Sequence, residues 1–567
     1  MTEQTERQLL AAEPLAAHTP PLQSEVASSV ERITRTAETG VGQPSFAPTK
    51  IVAPPPSPWS AERRPRDTFP VDRIDGIFAL IAFALGFFFM RWVFFSWQGW
   101  GVSLFTVGFC GAVIWYLRRK GMAQQHSSRF WLVLLLLTGL SYALWPGNGL
   151  SEWRDLFLFL LAVYWVVSAT GMSLLGRTSD WLPLDGLNAL VAVPWRNAGS
   201  QYRSLSMLRQ AKSKGERHFF SVGLGILLAA VVIAMVLPLL VAADNGGFSK
   251  IAEGIWRYFE TLQQSTVELA VQGLLAIPTA AYLFALIVGC AHKRGAKVSP
   301  EQVETALESA RILPAVTVHT LLALVSGLYL VFIGSQLPYF FSAFVGERPE
   351  GWLVYSEYAR NGFFELCGIA VINLVVLALA NLGGRAHRQT SLTLRLLNSL
   401  LATLTLLLIA TAQSKMVLYI NVYGLSVRRL LPCVFMVFLA VIYAGVVVLQ
   451  KRSFSIMRLA AGVGAVMFCL LCLVDPDGLV TRYNANRYLT GTLPGFDVEI
   501  LTRSGPAGVD AALQVHQRTN DAALRAALDD YLLIQIYRAD RSAGTHVDSI
   551  QSALARRKIA QYQAKTE

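Results

Sequence analysis

The sequence predicts an all-α protein, a polytopic bundle of about eleven transmembrane helices followed by a small helical extramembrane domain. Composition is the first reason. Of the 567 residues, 53% are hydrophobic and 15% are charged, whereas soluble domains average about 45–50% and about 25%. Distribution is the second reason. The apolar residues form stretches between residues 74 and 474, each close to the ~20 residues that a helix needs to cross a bilayer.

Residues 1–73 form the first predicted region, a hydrophilic tail. They mix Glu, Thr, Ser, Ala and Pro and include a proline-rich run at 54–58. Such a composition buries too little apolar surface to offset the cost of ordering the chain. It also lacks the apolar core of a signal peptide. We therefore predict a disordered cytoplasmic tail, which is either passive or binds a partner through its proline-rich run.

Residues 74–474 form the predicted transmembrane body. Its spans cover approximately 74–96, 101–117, 130–145, 156–175, 219–241, 267–291, 312–334, 362–381, 396–413, 430–449 and 457–474. Loops on alternate sides carry 21 and 8 Lys plus Arg residues. The positive-inside rule assigns the richer set to the cytoplasm. The same rule places the N-terminus in the cytoplasm, and the odd number of spans places the C-terminus outside.

Two regions outside the spans are predicted to be helical. Residues 176–218 interleave apolar and basic residues with tryptophan, which suits an amphipathic helix on an anionic leaflet. Residues 475–567 are hydrophilic, and Ala, Leu, Gln and Arg recur at helical spacing over 510–563. The sequence therefore predicts an inner amphipathic segment and an external, mostly helical C-terminal domain.

The densest polar set lies at the outer end of the eighth span. Ionisable groups at a helix centre in the membrane cost roughly 2.5–3.5 kcal/mol on insertion scales, so each is a functional candidate. Helical spacing puts Tyr358, Asn361 and Glu365 on one face. Glu357 and Arg360 have the spacing of a pair near the interface. We predict that these five residues belong to a polar site.

A second polar set follows the ninth span. Lys415, Tyr419 and Tyr423 recur every four residues and share one helical stripe, and Arg428 and Arg429 come next. In one interpretation the arginines reach lipid phosphates and the tyrosines belong to an aromatic belt. In the other, an outward-facing polar cavity pairs Glu365 with Lys415, and the arginines bind an anionic ligand such as a phosphate-bearing head group.

The sequence contains no recognised catalytic motif. It has no Ser-His-Asp order, no H-E-x-x-H helix and no G-x-x-x-x-G-K-[ST] loop. We therefore predict no catalytic residue, no cofactor and no metal ligand.

Several segments resemble a bacterial membrane family, the domain of unknown function 4173, which is related to the 4153 group. The resemblance extends over roughly 74–513 and is carried by residues 184–188, 332–340, 355–365 and 415–426, and more weakly by 483–488 and 496–499. It implies a multi-pass protein of the bacterial inner membrane. The family brings no established activity with it.

The leading hypothesis is a non-enzymatic envelope protein. It would hold an anionic or amphiphilic ligand in an outward-facing site, or transmit a signal across the membrane. The alternatives are a membrane enzyme that acts on a lipid-linked substrate, with Glu365 as general base, and a scaffold for other membrane proteins. The predicted partners are membrane lipid and proteins that bind the tail or the C-terminal domain. Nucleic acid is not expected as a partner. The net charge of +12 comes from basic residues in the loops on one side of the membrane, where they orient the spans.

Overall fold

The computed structural model describes residues 71–122, 125–147, 149–173, 180–210, 264–295, 300–345, 355–384 and 391–566. Within these ranges every regular element is a helix, which confirms the predicted all-α class. The predicted tail as far as residue 70 and the predicted span at 219–241 lie outside the described residues.

The helices are α1 (Arg73–Phe88, continued by a π-helical turn, Phe89–Phe94), α2 (Trp100–Arg119), α3 (Ser128–Leu144), α4 (Ser151–Thr170), α5 (Leu182–Leu187, continued by a π-helical turn, Asn188–Ala192), α6 (Val193–Asn197), α7 (Ser200–Gln210), α8 (Gln264–Ala291), α9 (Pro300–Ala310), α10 (Ala315–Val345), α11 (Tyr355–Leu382), α12 (Leu392–Tyr423), α13 (Val427–Leu449), α14 (Ile456–Val474), α15 (Pro476–Leu489), α16 (Val498–Ser504, followed by a 3₁₀ turn, Gly505–Gly508), α17 (Val509–Arg518), α18 (Ala522–Ser542) and α19 (Ile550–Thr566).

Nine helices in the described ranges are long and apolar enough to cross a membrane: α1 with its π-helical turn, α2, α4, α8 and α10–α14. The apolar helix α3 is shorter, with 17 residues. A helix satisfies its own backbone hydrogen bonds, as the hydrocarbon core requires. These ten helices match ten of the eleven predicted spans, and the eleventh is the segment 219–241. The chain is therefore a multi-pass membrane protein.

The membrane helices form two groups with separate cores. In the first group, α1–α4 and α8 bury large side chains such as Tyr116, Trp165 and Phe284. In the second group, α10–α13 pack around residues such as Phe363 and Leu401. Helix α14 contacts both α3 and α13, so it joins the two groups.

The helix bundle has two ends, which we name after one residue each. At the Lys120 end, the start of α1 meets the ends of α2 and α8, since Lys120 pairs with Asp72 and Asp75, and His292 lies 4.0 Å from Asp75. At the Asp477 end, the Gly149 amide donates to the Asp477 carboxylate at 3.2 Å. Helices α1–α4 therefore alternate in direction, and α8 ends at the Lys120 end as α2 does.

The segment α5–α7 lies at the Lys120 end and packs on α1, α4 and α8. One side is buried, and there Asn197 donates to the carbonyl of Arg294 at 3.2 Å. The other side exposes an apolar stripe at helical spacing, which ends in Trp195, 85% exposed. The stripe consists of Leu184, Leu187, Val191 and Trp195. That this amphipathic segment rests on a leaflet stays a prediction.

Helices α15–α19 share a small core of their own and dock on the Asp477 end. The indole of Trp100 donates to the carbonyl of Thr545 at 2.9 Å. The amide of Gly101 donates to the carbonyl of His546 at 3.0 Å. Gly99 has φ +75°, and a Cβ there would overlap the main chain of Val547. Only glycine fits a left-handed position with so close an approach.

Candidate functional site

The predicted site residues lie on α11, on α12 and at the start of α13. Glu357, Tyr358, Arg360 and Asn361 belong to the first two turns of α11, and their side chains lie outside the described part of the structure. The other predicted residues are described, and they fall into two sets.

Lys415 and Glu365 form the first set, between α11 and α12. The side chain of Lys415 is half-buried and crosses Gly362, where a Cβ would come within 2.7 Å of Nζ and 3.3 Å of Cδ. Glycine at 362 therefore gives the lysine room between the two helices, and a larger residue there would displace the end of its side chain. Glu365 is exposed, and it interacts electrostatically with Lys415. The structure thus brings a carboxylate and an ammonium group into range of each other.

Tyr419, Tyr423 and Arg429 form the second set, at the end of α12. The two tyrosine rings meet edge to face at 5.2 Å, and the guanidinium of Arg429 lies 4.2 Å from the ring centre of Tyr419. Arg429 also donates to the carbonyls of Tyr423 and Gly424. These are carbonyls that a helix end leaves without an internal partner. The protein therefore holds Arg429 itself, whereas Arg428 is exposed.

Two residues of α15 hold the same helix end. Asn484 accepts from the amide of Leu425 and donates to its carbonyl, both at 2.8 Å. Arg487 donates to the carbonyl of Ile420 at 3.2 Å. We call Arg429, Asn484 and Arg487 the α12 clasp. It joins two of the segments that carry the family resemblance, 415–426 and 483–488.

A buried carboxylate at the Lys120 end was missed by the sequence reasoning. Asp75 is fully buried, accepts a hydrogen bond from the hydroxyl of Tyr116 at 2.8 Å and pairs with Lys120 at 2.8 Å. Asp72 caps α1 together with Asp75 and also pairs with Lys120. Burial alone would lower the pKa of Lys120, but the hydrogen bonds to both aspartates outweigh it and raise the pKa. One carboxylate thereby ties α1 to α2.

A buried arginine near the Asp477 end was missed as well. Arg154, in the first turn of α4, is 1% exposed, and its guanidinium carbon lies 3.9 Å from the ring centre of Tyr142. Tyr142 donates to Asp155 at 2.6 Å. All three guanidinium nitrogens of Arg154 are buried without a hydrogen-bond partner among the described residues. The sequence predicts a span that begins at residue 156, which places this arginine in the preceding loop.

An apolar cavity of about 560 Å³, open on one side, lies between the helices of the first group. The π-helical turn after α1, Trp97, and residues of α2, α3, α4 and α8 line it, and almost all of the lining surface is carbon. The lining includes Phe89, Phe105, Leu135, Leu158, Ala162 and Pro278. The sequence could not predict this cavity, because apolar residues that line a cavity have the same composition and spacing as residues of a packed core.

A family model described as "Domain of unknown function (DUF4153)" matches residues 132–515. The match confirms the predicted resemblance to the 4153 group. It begins within α3 and ends within α17, so it includes Arg154, Lys415 and the α12 clasp but not Asp75. No curated protein and no solved structure matches the chain.

Proposed function

We propose that this chain, which belongs to the DUF4153 family, is a non-enzymatic membrane protein that binds an amphiphile and holds its hydrocarbon chain in the apolar cavity. The cavity is the observation that supports the proposal. Ligand pockets typically measure about 300–1,000 Å³ and are mostly apolar, and this cavity of about 560 Å³ falls within that range. Large apolar cavities stay dry and take apolar guests.

The proposal is tested by filling the cavity. Ala162 on α4 lines it, so Ala162→Phe should occupy part of the volume. Leu160→Phe is the matched control, because Leu160 is exposed on the same helix. The purified full-length protein is incubated with a photoactivatable long-chain alcohol, and the crosslinked residues are mapped by mass spectrometry.

We expect crosslinks at cavity residues such as Phe89 and Phe105 in the wild type. Ala162→Phe should reduce them several-fold, and Leu160→Phe should leave them unchanged. Thermal unfolding of both variants checks that the added ring has not disturbed the packing of the core. Crosslinks spread evenly over lipid-facing residues, with no effect of Ala162→Phe, would refute the proposal.

We also propose that the Lys120 end faces the cytoplasm of a bacterial cell and that the polar site around Glu365 and Lys415 opens to the periplasm. The excess of basic residues in the loops at the Lys120 end supports this orientation. A single cysteine at 365 should react with an impermeant thiol reagent added outside intact spheroplasts, and a single cysteine at 119, exposed at the end of α2, should not. Labelling at 119 but not at 365 would reverse the orientation.

A further inference from the structure

Arg154 is an exception to the way proteins bury charge. Arginine stays protonated in proteins, and moving an ion out of water costs several kcal/mol unless a partner compensates. Among the described residues no carboxylate comes within ion-pair distance of Arg154, and none of its guanidinium nitrogens has an acceptor. The adjacent carboxylate of Asp155 accepts the hydroxyl hydrogen of Tyr142. Asp155 therefore acts on Arg154 only through longer-range electrostatics, and the close contact of the guanidinium is the ring of Tyr142.

The contact with Tyr142 leaves the donors of Arg154 available. The ring covers one face of the guanidinium, at 3.9 Å from its carbon, as in a cation–π pair. The N–H groups lie in the plane of the guanidinium, at its edge. Their fork matches the two oxygens of a carboxylate or of a phosphate. The hydrogen bond from the Tyr142 hydroxyl to Asp155 helps to fix the position of the ring against the guanidinium.

The position of Arg154 relates it to the cavity. Leu158 lines the cavity and follows Arg154 by one turn on the same face of α4. On α3, the cavity residue Leu135 precedes Tyr142 by two turns, and both side chains are fully buried. The Arg154–Tyr142 pair therefore lies beyond the cavity in the direction of the Asp477 end. An amphiphile whose chain fills the cavity would have its polar end on this side.

We propose that Arg154 binds the anionic head group, a carboxylate or a phosphate, of the amphiphile whose chain occupies the cavity. This inference rests on the proposed function. To the proposed function it adds that the head group of the ligand is negatively charged. It also adds the orientation of the bound ligand, whose hydrocarbon chain points toward the membrane centre and whose head group points toward the Asp477 end. Tyr142 is a positioning residue, which acts through the guanidinium.

The test compares head groups on one chain length. Three probes, palmitate, 1-palmitoyl lysophosphatidate and hexadecanol, are titrated into the full-length protein in nanodiscs of zwitterionic lipid, and affinity is measured by displacement of a fluorescent fatty alcohol. A hydrogen bond to a charged group adds enough free energy for about a tenfold preference or more. We therefore expect at least one anionic probe to bind about tenfold more tightly than hexadecanol. The better of the two anions identifies the carboxylate or the phosphate as the head group.

Variants then assign the preference to one residue. Arg154→Gln should abolish the preference and keep hexadecanol affinity within about twofold, because the cavity is unchanged. Arg154→Lys should retain part of it. Arg428→Gln, which removes an exposed cation, should retain all of it. If Arg154→Gln does not fold, the wild-type preference and the Arg154→Lys variant still decide the question.

The outcomes separate the two proposals. Equal wild-type affinity for all three probes, or a preference that survives in Arg154→Gln, overturns the role of Arg154 and leaves the hydrocarbon site intact. Binding of no probe overturns the proposed function itself. A loss of thermal stability in Arg154→Gln with unchanged selectivity assigns Arg154 to structure only, and that result also refutes the inference.

Discussion

The two groups of membrane helices bury polar side chains of different kinds. In the second group the buried polar residues that the structure describes are neutral, and hydrogen bonds join several of them: Tyr329 donates to Asn373 at 2.8 Å, and Asn373 donates to Thr405 at 2.9 Å. In the first group the buried polar residues include two ions, Asp75 and Arg154, each at most 1% exposed.

This difference indicates where to look for function. A buried amide needs one or two hydrogen bonds and then fixes the positions of helices. A buried ion needs an opposite charge as well. Asp75 has its charge and its donors within the fold, in Lys120 and Tyr116. Arg154 has the ring of Tyr142 and an electrostatic interaction with Asp155, but its N–H groups have no acceptor among the described residues, so it is the buried ion that points to a ligand.

The largest effect is expected from Asp75→Ala. The change leaves Lys120 and Tyr116 without their buried acceptor, and breaking a buried pair costs about 3–5 kcal/mol. The free energy of unfolding in mixed micelles, from a titration with sodium dodecyl sulfate, measures the loss. The control is Asp72→Asn, which keeps an oxygen for the cap of α1 and removes a half-exposed pair worth about 1 kcal/mol or less. Equal losses in the two variants would show that Asp75 is no stronger a tie than a surface aspartate.

A smaller effect is expected from Asn373→Leu in the second group. It leaves the hydroxyls of Tyr329 and Thr405 without their amide partner, which should cost about 1–3 kcal/mol. Removing the partners too, in the triple variant with Tyr329→Phe and Thr405→Val, should recover part of that loss. The same unfolding titration measures both. A triple variant that loses the sum of the single losses would contradict a network of mutual satisfaction.

The smallest effect is expected from pH. Because the folded-state pKa of Lys120 is raised, its contribution to stability is fully present below the ordinary lysine pKa of 10.5 and is lost as pH rises through the folded-state value. The wild type should therefore lose stability above that pH more steeply than Lys120→Gln. Groups that do not contact Lys120 contribute equally to both proteins, so the difference between the two slopes is the measurement. Identical slopes would argue that the two aspartates do not raise the pKa of Lys120 in the folded protein.

Most of the fold could be predicted from the sequence, because a membrane span leaves a continuous apolar record. The sequence locates ten spans in this way, with boundaries within about seven residues of the helix ends, except that α10 and α12 continue about ten residues further. Such errors have consequences at the polar ends of spans. The fourth helix begins at Ser151 rather than at 156, and that one turn contains Arg154. Apolar stretches mark where a helix is hydrophobic and do not mark where its backbone begins.

Less of the candidate site could be predicted. Spacing along one helix brings Tyr419 and Tyr423 together, as the structure has them. The packing of Lys415 against Gly362 depends on how two helices cross, which no single-helix pattern records. The same limit applies to the clasp, since Arg429 carries the same sequence signal whether it binds a lipid phosphate or the carbonyls of α12. Burial separates these cases, and burial is a property of the folded chain.

The α12 clasp affects substitutions differently from insertions and deletions at the end of α12. Its hydrogen bonds to the end of α12 and the turn after it are all made to main-chain atoms, at Ile420, Tyr423, Gly424 and Leu425. Exchanging the side chains at 420, 423 or 425 leaves every acceptor in place. Adding or deleting one residue here would rotate part of them by about 100° around the helix axis. This stretch therefore constrains the count of residues more tightly than their identity.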